Sequence, residues 1–168
     1  MNITLLVSET TLKQQTVIND NVDNCYIMPS IVKAQDIGLQ PLIGSVLYRK
    51  LCAIVRGDEE GGSQYYNLLD EYITPYLCNK VAEEIQWALF AKIRNNGIVT
   101  SQDNQTQQLS ISDCEYLRKK YQYDADFYGR RLTDYLHANT NLFPEYLQRE
   151  TCADIKADAE AYKTNIVL

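Results

Sequence analysis

The amino-acid sequence predicts an all-α bundle of four to five principal helices, and three observations carry that reading. Apolar residues recur at intervals of three and four through most of the 168 residues, the period of a helix face rather than of a strand. Glycine and proline, the residues that punctuate short strands, are scarce at seven and four. The chain is 45% hydrophobic and 23% charged, ordinary globular composition at a length that buries roughly 70% of the unfolded surface.

Taken in order, Ile3, Leu5, Leu6 and Val7 form an apolar N-terminal arm, the one plausible strand. Ser8 can cap a short helix to about Thr16. Asn19-Asp20-Asn21 reads as a turn, and Asp23 as the cap of a helix from about Asn24 to Ile37, striped by Tyr26, Ile27, Ile31 and Ala34, carrying Pro29 and stopped by Gly38. Leu39 through Arg56 is the cleanest helix, with Ile43, Leu47, Leu51, Ile54 and Val55 on one face and Gly57 as its C-cap. An acidic loop, Asp58 to Ser63, separates it from a helix begun by Tyr65, Leu68, Leu69, Tyr72 and Ile73, which Pro75 breaks or bends. A longer helix follows from about Tyr76 to Asn95. Leu77, Val81, Ile85, Ala88 and Leu89 form one greasy face, and Trp87, Phe90, Ala91 and Ile93 extend it around the side. The run Thr100 to Ser110 is a long polar loop. Ser112-Asp113-Cys114-Glu115 matches a capping box for a long helix to about Ala138, with Leu117, Tyr121, Tyr128, Leu132, Tyr135 and Leu136 as its buried face. Leu142-Phe143-Pro144 and Tyr146-Leu147 can pack a last turn back on the bundle. Residues 1–150 thus form the helical domain, and residues 151–168 an extended C-terminal tail expected to be ordered by a partner.

Charge excludes some functions. Sixteen basic against twenty-two acidic side chains give a net charge of −6, the wrong sign for gripping phosphate backbones. Arg118-Lys119-Lys120 and Arg130-Arg131 sit among acids and read as a solvated helix face. Residues 1–30 hold one basic residue, Lys13, and no long apolar block, so neither a secretory signal nor a membrane span is expected. Cys25, Cys52, Cys78, Cys114 and Cys152 are widely spaced, with no Cys-x-x-Cys pair. They read as reduced, mostly buried small hydrophobes in a reducing compartment, not as a metal site.

Catalytic signals are weak. His137 is the only histidine, and Asp134, three residues earlier, makes half of a carboxylate–histidine metal motif whose other half is missing. Glu83 and Glu84 point about 100° apart on a helix and cannot share a site. No phosphate cradle is present, since Gly61-Gly62 lacks the following lysine and hydroxyl residue. The expectation is no enzyme, no cofactor and no metal. Tyrosine stands out at thirteen residues, on every helix, which suits half-wet contacts.

The block Ile27-Met28-Pro29-Ser30-Ile31-Val32-Lys33-Ala34-Gln35-Asp36-Ile37, running into Leu39-Gln40-Pro41-Leu42-Ile43-Gly44-Ser45-Val46-Leu47-Tyr48-Arg49-Lys50-Leu51, resembles the opening of small helical head-to-tail connector (adaptor) proteins of tailed bacteriophages and prophages, particularly of gut Bacteroidales. Tyr66-Asn67-Leu68-Leu69-Asp70-Glu71-Tyr72-Ile73-Thr74-Pro75-Tyr76-Leu77 is similar to the same family's proline-broken approach to its long helix. The likeness covers about residues 3 to 150. It implies a structural virion protein whose copies form a ring, usually dodecameric, at the portal vertex between capsid and tail, assembled in the host bacterial cytoplasm. DNA would pass through the ring without specific binding, and the partners would be the portal protein and neighbouring tail or connector proteins, with no membrane. Lateral contact would fall to Trp87 and Phe90, and portal or tail docking to Tyr162, Ile166, Val167 and Leu168. Two other readings stand beside it: a small helical protein-binding or regulatory module, and an all-α enzyme using Asp134 and His137.

Overall fold

The computed structural model describes residues 3–94, 97–100 and 110–158. The first helix and the longest begin at a side-chain cap. Ser8 accepts a hydrogen bond from the Thr11 amide and starts α1 (Glu9–Gln15). The Asn19 carboxamide accepts from the Asn21 amide, closing the expected turn, and Asp23 precedes α2 (Asn24–Lys33). The N-terminal arm is extended but is no strand. Leu6 and Val7 are buried, and the fully buried Gln35 satisfies the arm's backbone in place of a neighbouring strand. Its Oε1 accepts from the Leu6 amide at 2.7 Å while its Nε2 donates to the Thr4 carbonyl at 3.0 Å.

Gly38 does not stop the second helix. The chain passes through it in a π-helical segment, Ala34–Leu39, and continues into α3 (Gln40–Ile43). A Cβ at Gly38 would lie 3.0 Å from the Tyr76 hydroxyl and 3.3 Å from Lys80 Cγ, so glycine here lets two helices approach and makes no turn. The break comes at Gly44, whose φ of 79° and ψ of 156° suit glycine. The expected Leu39–Arg56 helix is therefore divided, and α4 runs Ser45–Arg56. Gly57, left-handed at φ 80°, caps it, and the Asp58 amide reaches back to the Ala53 carbonyl at 2.9 Å.

Helix α5 (Ser63–Leu68) enters α6 (Thr74–Phe90) through a second π segment, Leu69–Ile73. Pro75 does not break the run: it follows directly on the π segment, whose widened turn already departs from the regular hydrogen-bond ladder that a proline interrupts. Helix α6 ends five residues earlier than expected. Ala91–Arg94 and Gly97–Thr100 are instead strands β1 and β2 of an antiparallel hairpin, with Arg94 opposite Gly97. The rest of the expected polar loop, 101–109, lies outside the described residues. Helix α7 (Ile111–Ala138) is capped two residues earlier than expected, by a capping box of Ser110 and Asp113 instead of Ser112 and Glu115. That frame turns Cys114 into the core.

The core is the all-α bundle itself, with α6 packed on α2 and α7. Leu12, Ile27, Ile31, Leu47, Leu51, Leu77, Val81, Leu132 and Leu136 are buried within it. Of the expected α7 face, Leu132 and Leu136 are buried while Leu117, Tyr121, Tyr128 and Tyr135 are only half-buried. A 3-10 turn, Pro144–Leu147, closes the bundle. There a row of rings runs from Tyr72, stacked on Tyr135 at 4.0 Å, through Phe143 to Tyr65. A cation closes each end, Arg131 over Tyr72 at 4.9 Å and Lys50 over Tyr65 at 4.8 Å.

Residues 151–158 run along the helical body. The Ser45 amide donates to the Ile155 carbonyl and the Asp158 amide to the Pro41 carbonyl, at 2.9 and 2.8 Å. Asp154, buried, accepts from Arg49 at 2.6 Å and from the Glu150 and Thr151 amides. The Arg49 hydrogen bond, then the Thr151 amide, hold its carboxyl well below the usual range. At Glu145 burial pushes the pKa up, but the Lys50 ammonium at 2.6 Å and the Tyr65 hydroxyl outweigh it and leave the carboxyl below its ordinary 4.5. A depressed folded pKa contributes stability that is whole above the unfolded pKa and is lost as pH falls through the folded one. Stability should therefore hold down to about pH 5 and fall below about pH 4. Glu145→Gln should flatten that acid limb in thermal melts, and an unchanged limb would mean the Lys50–Glu145 pair contributes nothing.

Candidate functional site

Helices α6 and α7 are antiparallel: Lys80 lies near Asp126 at one level, and Glu83 meets Arg118, 3.6 Å away, at the next. Glu83 is buried and also accepts from Lys80 at 2.7 Å. Burial in this seam, aided by Glu83, pushes the Asp126 carboxyl up, with Lys80 opposing. Glu84 turns away to pair with Lys33. The neighbouring glutamates thus serve different partners, as their angular separation requires.

One turn beyond Glu83, the apolar face of α6 runs past the edge of the core. Leu77, Val81 and Ile85 are buried, but Trp87 is 38% exposed and Leu89 37%. Trp87 packs edge-on against Phe90, ring centroids 5.9 Å apart, and Phe90 is half-buried. The two residues expected to make the lateral contact therefore meet as a pair at the outer end of α6. The rest of that expected face, Ala91 and Ile93, falls in β1. Tyr162, Ile166, Val167 and Leu168 lie outside the described residues.

Asp134 is exposed, while His137 is half-buried and edge-on to the Tyr146 ring at 5.6 Å. Among the described residues no three His, Cys, Asp or Glu side chains are grouped to hold a metal ion. The cysteines divide differently from expectation: Cys78 and Cys114 are buried, Cys52 is intermediate, and Cys25 and Cys152 are exposed. The exposed pair lies in the first turn of α2 and on the segment after residue 150, where no core covers them. Burial pushes the Cys78 thiol up to about 11, which keeps it a packing group rather than a nucleophile. An open cleft of about 590 Å³ lies beside the N-terminal arm, lined by Asp36, Tyr48, Cys52 and Arg56 among others.

Sequence reasoning missed the exposed face of α7. Tyr116, Tyr123 and Phe127 are 73, 74 and 56% exposed, and their spacing of seven and four puts them on one stripe. The tyrosine excess was the available signal, but the expected α7 face named only the core side.

Residues 39–165 match the model of a family of unknown function, DUF6712. No curated protein and no solved structure matches the chain.

Proposed function

The chain belongs to the DUF6712 family, and we propose that it is a non-enzymatic structural virion protein, an adaptor ring subunit joining the portal vertex to the tail. The observation that carries the reading is the pairing of two things: the connector-like blocks at residues 27–51 and 66–77, and the exposed Trp87 at the end of a helix whose earlier turns are in the core. A tryptophan more than a third exposed beside Leu89 and Phe90 is costly in an isolated subunit and is the kind of anchor that interfaces bury. Net charge supports the reading too. A conduit for a polyanion works with few phosphate contacts, and a chain of charge −6 avoids counterion release as a driving force for binding DNA. In this reading the subunits pack side by side through Trp87 and Phe90, and the end of the chain, with Tyr162, Ile166, Val167 and Leu168, docks on the portal or the next tail component.

Co-sedimentation with the portal protein encoded nearby, read by electron microscopy, tests it. A rotationally symmetric collar is expected with the unaltered chain. Trp87→Ala should keep the helical circular-dichroism signal and lose the collar. Unfolding of Trp87→Ala instead would make Trp87 a core residue and remove the lateral-contact assignment. Separate peaks for two folded partners at high concentration would favour a helical binding module acting on another protein.

A further inference from the structure

We propose that the outward stripe of α7 is a contact between copies of this chain, with Tyr116, Lys119, Lys120, Tyr123 and Phe127 of one copy seated on the acidic loop Asp58-Glu59-Glu60 of the next. This deepens the ring reading, on which it rests for the existence of a neighbour, and it uses a surface other than Trp87 and Phe90.

The three rings span eleven residues, about 16 Å along the helix axis, and stand far more exposed than any ring of the core row. A contiguous aromatic surface of this kind marks an interaction site. Its charge selects the partner. Lys119 and Lys120 sit between Tyr116 and Tyr123 on the same stripe, both exposed, and Arg130 follows Phe127, while Glu115 and Asp134 are exposed acids near its two ends. Neither Lys119 nor Lys120 has an ion-pair partner among the described residues. Two lysines without an ion-pair partner among the described residues therefore lie between exposed rings of a chain of net charge −6.

The complementary surface is present on the same chain. Asp58, Glu59 and Glu60 are consecutive and exposed, and only Asp58 is paired, with Arg56 at 2.8 Å. They follow α4, which packs on α3 and the closing 3-10 turn, whereas α7 packs on α6. Two different patches meeting across copies make a heterologous contact, which closes into a ring when the rotation permits. Aromatic rings between cations also suit single-stranded nucleic acid, so DNA is the competing occupant. The overall negative charge argues against it.

Sedimentation velocity of the full chain across concentration and salt tests the proposal. Self-association weakening with added salt is expected. Lys119→Glu with Lys120→Glu should raise the dissociation constant at least about tenfold, because like charges then face each other. Glu59→Lys with Glu60→Lys should do the same. Combining all four substitutions in one chain should restore association, an outcome that misfolding cannot imitate. Phe127→Ser should weaken association with little change in its salt dependence. A chain that stays monomeric at every concentration, or lysine reversals without effect, would overturn the proposal, as would failed rescue in the four-fold variant. Salt-sensitive binding of a labelled single-stranded oligonucleotide, lost in the lysine reversals while association is unchanged, would assign the stripe to nucleic acid instead. The two readings fail separately. Self-association through this stripe with no collar on the portal would remove only the adaptor role, and a collar formed by the lysine-reversed chain would remove only this interface.

Discussion

Gly44→Val should be among the most damaging single substitutions in the helical body. The residue occupies φ 79° and ψ 156°, a region essentially reserved for glycine, and forcing a β-branched side chain into it costs about 1–3 kcal/mol. Space adds a second cost. A Cβ there would stand 3.1 Å from the Ala157 nitrogen, 3.3 Å from the Tyr146 carbonyl oxygen and 3.4 Å from the Ala157 methyl. Two of those are backbone atoms, and the 155–158 segment cannot retreat without stretching the Ser45–Ile155 and Pro41–Asp158 hydrogen bonds. Overpacking of that kind costs about 1–3 kcal/mol more. Gly57→Ala provides the contrast, because Gly57 also has a positive φ, of 80°, but a Cβ there meets nothing within 4 Å. The unfolding free energy read from denaturant melts should fall sharply for Gly44→Val and by about 1 kcal/mol for Gly57→Ala. Equal losses would mean that conformation alone matters and that the 151–158 segment does not pack firmly on the α3–α4 corner.

The contrast between those two glycines also shows how far the sequence could be read. Gly57 announced itself by following a clean apolar stripe, and it is the expected cap. Gly38 and Gly44 look alike in the sequence, yet one is a packing gap against Tyr76 and the other a chain break. What separates them is what lies against each, helix α6 at Gly38 and the 155–158 segment at Gly44, which periodicity does not encode. The π segments at 34–39 and 69–73 are illegible for the same reason: helical spacing survives one extra residue in a turn. The hairpin was more legible than the reading allowed. Asn96-Gly97 is a hairpin-type dipeptide in the sequence, but the apolar run through Ile93 continues the helical period up to it. At the candidate site, Trp87 and Phe90 were read from the width of the apolar face, and the structure brings them together. The α7 stripe was lost because its rings alternate with lysines and arginines, a pattern that reads as solvent surface until the core side is fixed by Leu132 and Leu136.

Phe143→Ala should cost about 3–5 kcal/mol, the range for a fully buried aromatic, although Phe143 belongs to a short turn after the last helix. Its ring is 1% exposed and is the middle of the row that joins three elements. Tyr65 of α5 meets it edge-on at 5.4 Å, and Tyr135 of α7 lies against it at 5.9 Å. Removing it leaves a cavity between two tyrosines, one carrying Lys50 over its ring and the other stacked on Tyr72. Neither tyrosine can collapse inward freely. Tyr65 is tied by its hydroxyl to Glu145, and Tyr135 by its stack on Tyr72. Leu142→Ala, one residue away and 47% exposed, should change stability by no more than about 0.5 kcal/mol. Comparing the two by chemical denaturation separates a keystone from a cover. If Phe143→Ala cost no more than Leu142→Ala, the closing turn would be a surface appendage. The coupling between Glu145 and Lys50 would then be lost together with the turn, and the Glu145 share of the acid limb, as distinct from that of Asp154, should already be absent in Phe143→Ala. If the full loss is seen with the acid limb retained, the ring row and the ion pair stabilise the bundle independently, and the turn is part of the core that both sides of the sequence build.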